Sequence, residues 1–162
     1  MQKKVAILMG AKGDLNTVKK AADKLVELGA QYEMHVMSAH RTPDEATAFA
    51  KNAINAGFCV IIATAGKAAH LAGVLAANTT LPVIAIPLKS SALDGLDALL
   101  SSVQMPTGIP VATVAIDNAE NAAILACQMI ALFDDDMRQR LEKMKCDIRD
   151  AILKDDASIQ DL

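Results

Sequence analysis

Short apolar runs alternate with amphipathic stretches along the whole chain, and that alternation leaves few folds open. Val5 to Met9, Tyr32 to Met37, Cys59 to Ala63, Val83 to Pro87 and Val111 to Ala115 have the length of strands. Cys59 to Ala63 is apolar throughout, as a strand buried on both faces should be. Between the strands, Leu15 to Leu28 sets Leu15, Val18, Ala22, Leu25 and Val26 on one helical face and closes at Gly29. Pro43 to Ala56 closes at Gly57, and Ala68 to Asn78, Leu93 to Ser101, Ala119 to Phe133 and about Asp136 to Leu153 read as further helices. Five strands alternating with helices predict an α/β domain: a parallel sheet covered on both faces by right-handed crossovers. No linker or repeat divides residues 1–162, so a single domain is expected.

Composition narrows the partners. The net charge is −3 and there are one tyrosine, three phenylalanines and no tryptophan, so there is no basic footprint and few stacking platforms, which disfavours nucleic acid as a partner. Apolar residues make up 52%, but Gly, Pro or charge interrupts them well short of the ~20 that a bilayer requires. The start reads directly as a first strand, with too short an apolar stretch before Gly10 for a signal sequence, which points to the cytoplasm. Cys59, Cys127 and Cys146 are widely spaced and odd in number, as suits reduced structural thiols and not a metal site. Alanine-rich helices around Ala68 to Ala77 and Ala119 to Ala126 bury little area each, so a subunit interface is expected to supply more. The last helix offers Met137, Leu141, Met144, Ile148 and Ile152 at helical spacing, to dock on a neighbour or on its own subunit.

The chemistry-bearing residues lie on the turns after the strands, where open parallel sheets bind ligands. Ser38-Ala39-His40-Arg41 follows the second strand, and Thr42-Pro43-Asp44-Glu45 reads as a capping box with proline at the first helical position. His40 can exchange protons near neutral pH, and Arg41 can hold a phosphate or carboxylate through its planar fork. Gly10-Ala11-Lys12-Gly13-Asp14 follows the first strand and opens a helix, so its N–H groups can receive an anion. Asp14 there serves either a sugar hydroxyl or the helix N-cap. The third turn, Ala65-Gly66-Lys67-Ala68-Ala69-His70-Leu71, adds a cation and a second histidine. Gln104-Met105-Pro106-Thr107-Gly108-Ile109-Pro110 forms a stiff loop that suits a lid, an interface or a connector.

Taken together, Met9-Gly10-x-Lys12-x-Asp14, Ser38-Ala39-His40-Arg41-Thr42-Pro43, Ala68-Ala69-His70-Leu71, Ser91-Ala92-Leu93-x-Gly95-Leu96-Asp97 and Ser102-Val103-Gln104-Met105-Pro106 resemble, in order and spacing, the N5-carboxyaminoimidazole ribonucleotide mutase family. The resemblance covers roughly residues 5 to 155. It implies a flavodoxin-like three-layer α/β/α fold, an octamer with active sites between subunits, an interface helix over about 136–154, and purine biosynthesis without ATP, metal or organic cofactor. It implies His40 as general acid and base. Around it, Gly10, Ala11, Asp14, Ser38, Ala39, Arg41, Gly66, Lys67, Ala69, His70 and Leu71 would hold the ribonucleotide: Asp14 on the ribose, Arg41 on the phosphate and His70 near the migrating carboxyl group.

The chain departs from that family at two turns. Ala11 and Gly13 stand where the family usually has serines, and Thr64, Lys67 and Ala72 stand where it usually has two glycines and a proline. Two lost hydroxyls correspond to roughly 1 to 3 kcal/mol of binding, part of which the charge of Lys67 is placed to restore. Two other functions fit the scaffold: a CO2-dependent aminoimidazole ribonucleotide carboxylase, whose family typically has lysine at position 41, and a non-catalytic nucleotide-binding paralogue. Arg41 with Ala68-Ala69-His70 favours the mutase over the first, and intact His40 and Arg41 favour it over the second.

Overall fold

A computed structural model describes residues 4–160. Five strands, β1 (Lys4–Met9), β2 (Gln31–Val36), β3 (Phe58–Gly66), β4 (Val83–Leu88) and β5 (Ala112–Thr113), form one sheet in the order β2-β1-β3-β4-β5. Every pairing is parallel. The helices are α1 (Leu15–Glu27), α2 (Pro43–Asn52), α3 (Leu71–Ala76), α4 (Leu96–Val103), α5 (Ala119–Ala131) and α6 (Asp135–Ile159), with a 3-10 turn at Lys12–Asp14. This is the flavodoxin-like order, whose switch point lies between β1 and β3.

Alternation along the strands builds a core on each face. Val5, Ile7 and Met9 of β1 join Val60, Ile62, Ile84 and Ile86 against α1, α5 and the start of α6. Ala6 and Leu8 join Ile61, Ala63 and Ala85 against α2 and α3. Successive side chains point to opposite faces, so the buried stretches Val5 to Met9, Val60 to Ala63 and Val83 to Leu88 of the central strands are apolar at every position, which is why they read as unbroken runs. β2 and β5 are edges. Met34 and Val36 on β2 are 38% and 55% exposed, and only Ala112 and Thr113 complete a ladder with β4. The expected fifth strand, Val111 to Ala115, is therefore cut to two residues.

Several boundaries move for local reasons. β3 runs on to Gly66, and Lys67 then turns at φ +56°, so α3 begins at Leu71 and not at Ala68. Asp94 and Gly95 both have left-handed φ, which delays α4 to Leu96. α6 is longer than expected, and its apolar stripe divides. Met137 and Leu141 are buried on the chain's own core, while Ile148 and Ile152 are 56% and 63% exposed. The Arg140 guanidinium also donates to the Leu28 carbonyl at 3.0 Å, over Gly29, whose φ of +72° closes α1. Cys59, Cys127 and Cys146 are free thiols. Among the described residues no helix is long and apolar enough to cross a membrane.

Strand register decides what the turns can do. Met9 pairs with Val36 on one side and Thr64 on the other, and Gly66 pairs with Leu88. The turns after β1, β2, β3 and β4 therefore emerge together at one edge of the sheet.

Candidate active site

At that edge lies a cavity of about 750 Å³, within the usual range for small-ligand sites. The first turn supplies Gly10, Ala11, Gly13 and Asp14, the second Ser38, Ala39, His40 and Arg41, and the third Gly66, Lys67, His70 and Leu71. Eleven of the twelve expected site residues thus line one space. The twelfth, Ala69, is 2% exposed, and its N–H donates to Ser101 Oγ at 3.0 Å, so it faces the protein and not the cavity.

The second turn is locked from within. Thr42 Oγ1 accepts from the Ser38 N–H at 2.8 Å and donates to the Ser38 carbonyl at 3.2 Å. It makes no bond to the first turn of α2, so the expected capping box does not form, although Pro43 does open the helix. Ser38 Oγ in turn accepts from the His40 N–H at 3.4 Å, the Arg41 N–H at 3.2 Å and Arg41 Nε at 3.3 Å. A further guanidinium N–H of Arg41 donates to the Gly10 carbonyl at 2.7 Å, which joins the first turn to the second. The guanidinium has five N–H donors, so three remain for an anion.

His40 Nε2 lies 2.9 Å from His70 Nδ1, with the rings edge to face at 5.0 Å between centroids. At that distance one nitrogen must donate and the other accept, so the pair shares one bridging proton between two exposed imidazoles. His70 is not inside a helix; it is the residue that caps α3, where its ring can turn toward the second turn.

Asp14 closes the first turn. Its Oδ2 accepts from the Ala11 N–H at 3.1 Å and makes no capping bond to α1, so of its two expected roles the N-cap is not adopted. Burial pushes the Asp14 carboxyl above its ordinary value, against the Ala11 hydrogen bond and the nearby Arg41 charge, which both lower it. Thr64 is fully buried at the end of β3: its carbonyl accepts from the Gly10 N–H at 3.2 Å, and its hydroxyl has no partner among the described residues.

Lys89, Ser90 and Asp117 also line the cavity and were not anticipated. The first two follow β4 directly, so the strand-end rule applied to β4 would have found them. Asp117 holds that wall: its Oδ1 accepts from the Lys89 N–H at 3.0 Å, from a backbone at φ +57°. The Gln104-Met105-Pro106 loop contributes no lining residue among those described. Met105 instead rests on α3, where a Cβ on Gly73 would meet its sulfur at 3.3 Å.

Residues 4–151 match the family model for AIR carboxylase. The N5-carboxyaminoimidazole ribonucleotide mutase of Pyrococcus horikoshii is 52% identical over 145 residues, covering 90% of this chain and 82% of that protein. The protein of the same name from Bacillus subtilis is 49% identical over 156 residues, covering 95% and 96%. Among solved structures, Treponema denticola PurE superposes with a TM-score of 0.88 at 29% identity, covering 97% of this chain and 98% of that one.

Proposed function

Since the chain belongs to the AIR carboxylase family, we propose that it converts N5-carboxyaminoimidazole ribonucleotide to 4-carboxy-5-aminoimidazole ribonucleotide, a step of purine biosynthesis that the named relatives carry out. The observation that carries this reading is the His40–His70 pair, 2.9 Å apart on the cavity wall beside a partly unsatisfied Arg41. The chemistry needs few groups. A proton delivered to the exocyclic nitrogen lets the N–C bond break, its electrons staying on nitrogen while CO2 departs. Ring carbon four then attacks the retained CO2, forming the C–C bond, and the proton on that carbon leaves. One imidazole can serve both ends, giving a proton to nitrogen and taking one from carbon, which is the role of His40. Arg41 takes the phosphate through its free N–H donors, Asp14 the ribose, and Lys67 adds charge where Ala11 and Gly13 offer no hydroxyl.

On the same reading no cofactor takes part. Single-domain subunits (1–162) work in the cytoplasm as an octamer, with about 136–154 as the interface helix; the exposed Ile148 and Ile152 of α6 support that packing. The test offers purified protein N5-carboxyaminoimidazole ribonucleotide and aminoimidazole ribonucleotide, each with and without bicarbonate, while ultraviolet absorbance follows the carboxylated product. A mutase consumes the first without help from bicarbonate. Turnover of the second only, and only with bicarbonate, would make the protein a carboxylase; no turnover of either would leave a binding protein.

A further inference from the structure

Ser101 sits on α4, yet its hydroxyl reaches the third turn. Ser101 Oγ lies 2.7 Å from the Asp97 carbonyl, 3.2 Å from that of Ala98 and 3.5 Å from that of Lys67. A hydroxyl has one proton, which goes to the nearest of these, Asp97. Its lone pair accepts from the Ala69 N–H at 3.0 Å. With Ala69 only 2% exposed, no water stands ready to replace that acceptor.

The turn held in this way is strained. Lys67 has a φ of +56°, a conformation that a long side chain adopts only when its surroundings impose it. Apart from the His40–His70 contact, the bond that Ser101 accepts from Ala69 is the only side-chain hydrogen bond to residues 67–70 among the described residues once its proton goes to Asp97. The residue after Ala69 is His70, whose Nδ1 meets His40 Nε2. We propose that Ser101 is a positioning residue: by holding the Ala69 N–H it fixes the 67–70 turn and keeps the His70 ring against His40. The inference rests on the reading of His40 as the proton-transfer group.

Ser101→Ala, Ser101→Thr and Ser102→Ala test it. Ser102 is the control, since its buried hydroxyl donates at 2.8 Å to Ala98 of its own helix and does not touch the turn. Amide hydrogen exchange of the 66–71 segment by mass spectrometry reads the tether, and kcat and KM for the mutase reaction read its consequence. Ser101→Ala should speed exchange about tenfold, the worth of one bond near 1.4 kcal/mol, and lower kcat by a similar factor with KM within about twofold. Ser101→Thr should restore both, and Ser102→Ala should match wild type. Unchanged exchange in Ser101→Ala, equal loss in Ser102→Ala, or a threonine that fails to rescue would each overturn the proposal. Wild-type protein without turnover would instead sink the catalytic reading, so the two failures are distinct.

Discussion

At the scale of single residues, the site depends on side chains held by their neighbours more than on their identity alone. Ser38 accepts from three N–H groups of His40 and Arg41, so the two residues that carry the proposed chemistry cannot move independently. His40→Asn keeps a hydrogen-bonding group but cannot carry a proton at neutral pH; it should fold normally and lose at least about 100-fold in turnover. A variant within about twofold of wild type would put the proton transfer elsewhere. Asp14 gives a prediction with a sign. Its carboxyl is raised by burial, so the folded protein binds that proton more tightly than the unfolded chain does. Ionisation therefore costs the fold at neutral pH, and the cost vanishes once pH falls below the ordinary carboxylate range near 4. Asp14→Asn, which can still accept from Ala11, should melt at or above wild type at pH 7, with the difference closing by about pH 3.5, while its substrate affinity drops. Calorimetry at the two pH values checks this; a variant markedly less stable at pH 7 would mean that the carboxylate charge supports the fold.

At the scale of elements, α6 is two devices in one helix. Its first turns belong to the subunit: Met137 and Leu141 are 2% and 7% exposed and lie in the core with α1 and α5. From Lys145 onward every described residue is exposed. Met137→Ala should therefore cost about 2 to 5 kcal/mol of stability in a urea melt, the usual cost of emptying a buried site. Ile152→Ala should change the stability of an isolated subunit by less than about 0.5 kcal/mol, because within one subunit that side chain is 63% exposed and packs on nothing. Equal effects at the two positions would show that the stripe acts as one unit.

At the scale of the whole molecule, the octamer reading assigns assembly to the exposed half of α6. A chain ending at Lys145 keeps Met137, Leu141 and Met144, so its fold should survive, whereas removal from Asp136 would strip the core as well. On the octamer reading, the shorter chain should sediment as a smaller species and lose activity although His40, Arg41 and Asp14 are untouched. Full activity in a monomer would show that the cavity is complete within one subunit.

Sequence alone determined the sheet, its parallel sense and the edge at which the candidate site lies, because these rest on local signals. An apolar run every thirty residues or so can be satisfied only by burial on both faces, and turns after parallel strands must collect at one edge. That logic brought the first three turns to one edge, and the resemblance carried on their motifs singled out eleven of the residues that line the cavity there. It could not reach what depends on partners remote in the chain. The Thr42 hydroxyl has two competing uses, and only the folded turn shows that it bonds Ser38 and leaves α2 uncapped. Ala69 belongs to a turn with the expected composition, yet Ser101, 32 residues away, turns its N–H inward. The extent of β5, the division of the α6 stripe and the contact between His40 and His70 are likewise tertiary outcomes. Each is set by which surfaces meet once the layers close, a free energy shared between segments that no single segment carries.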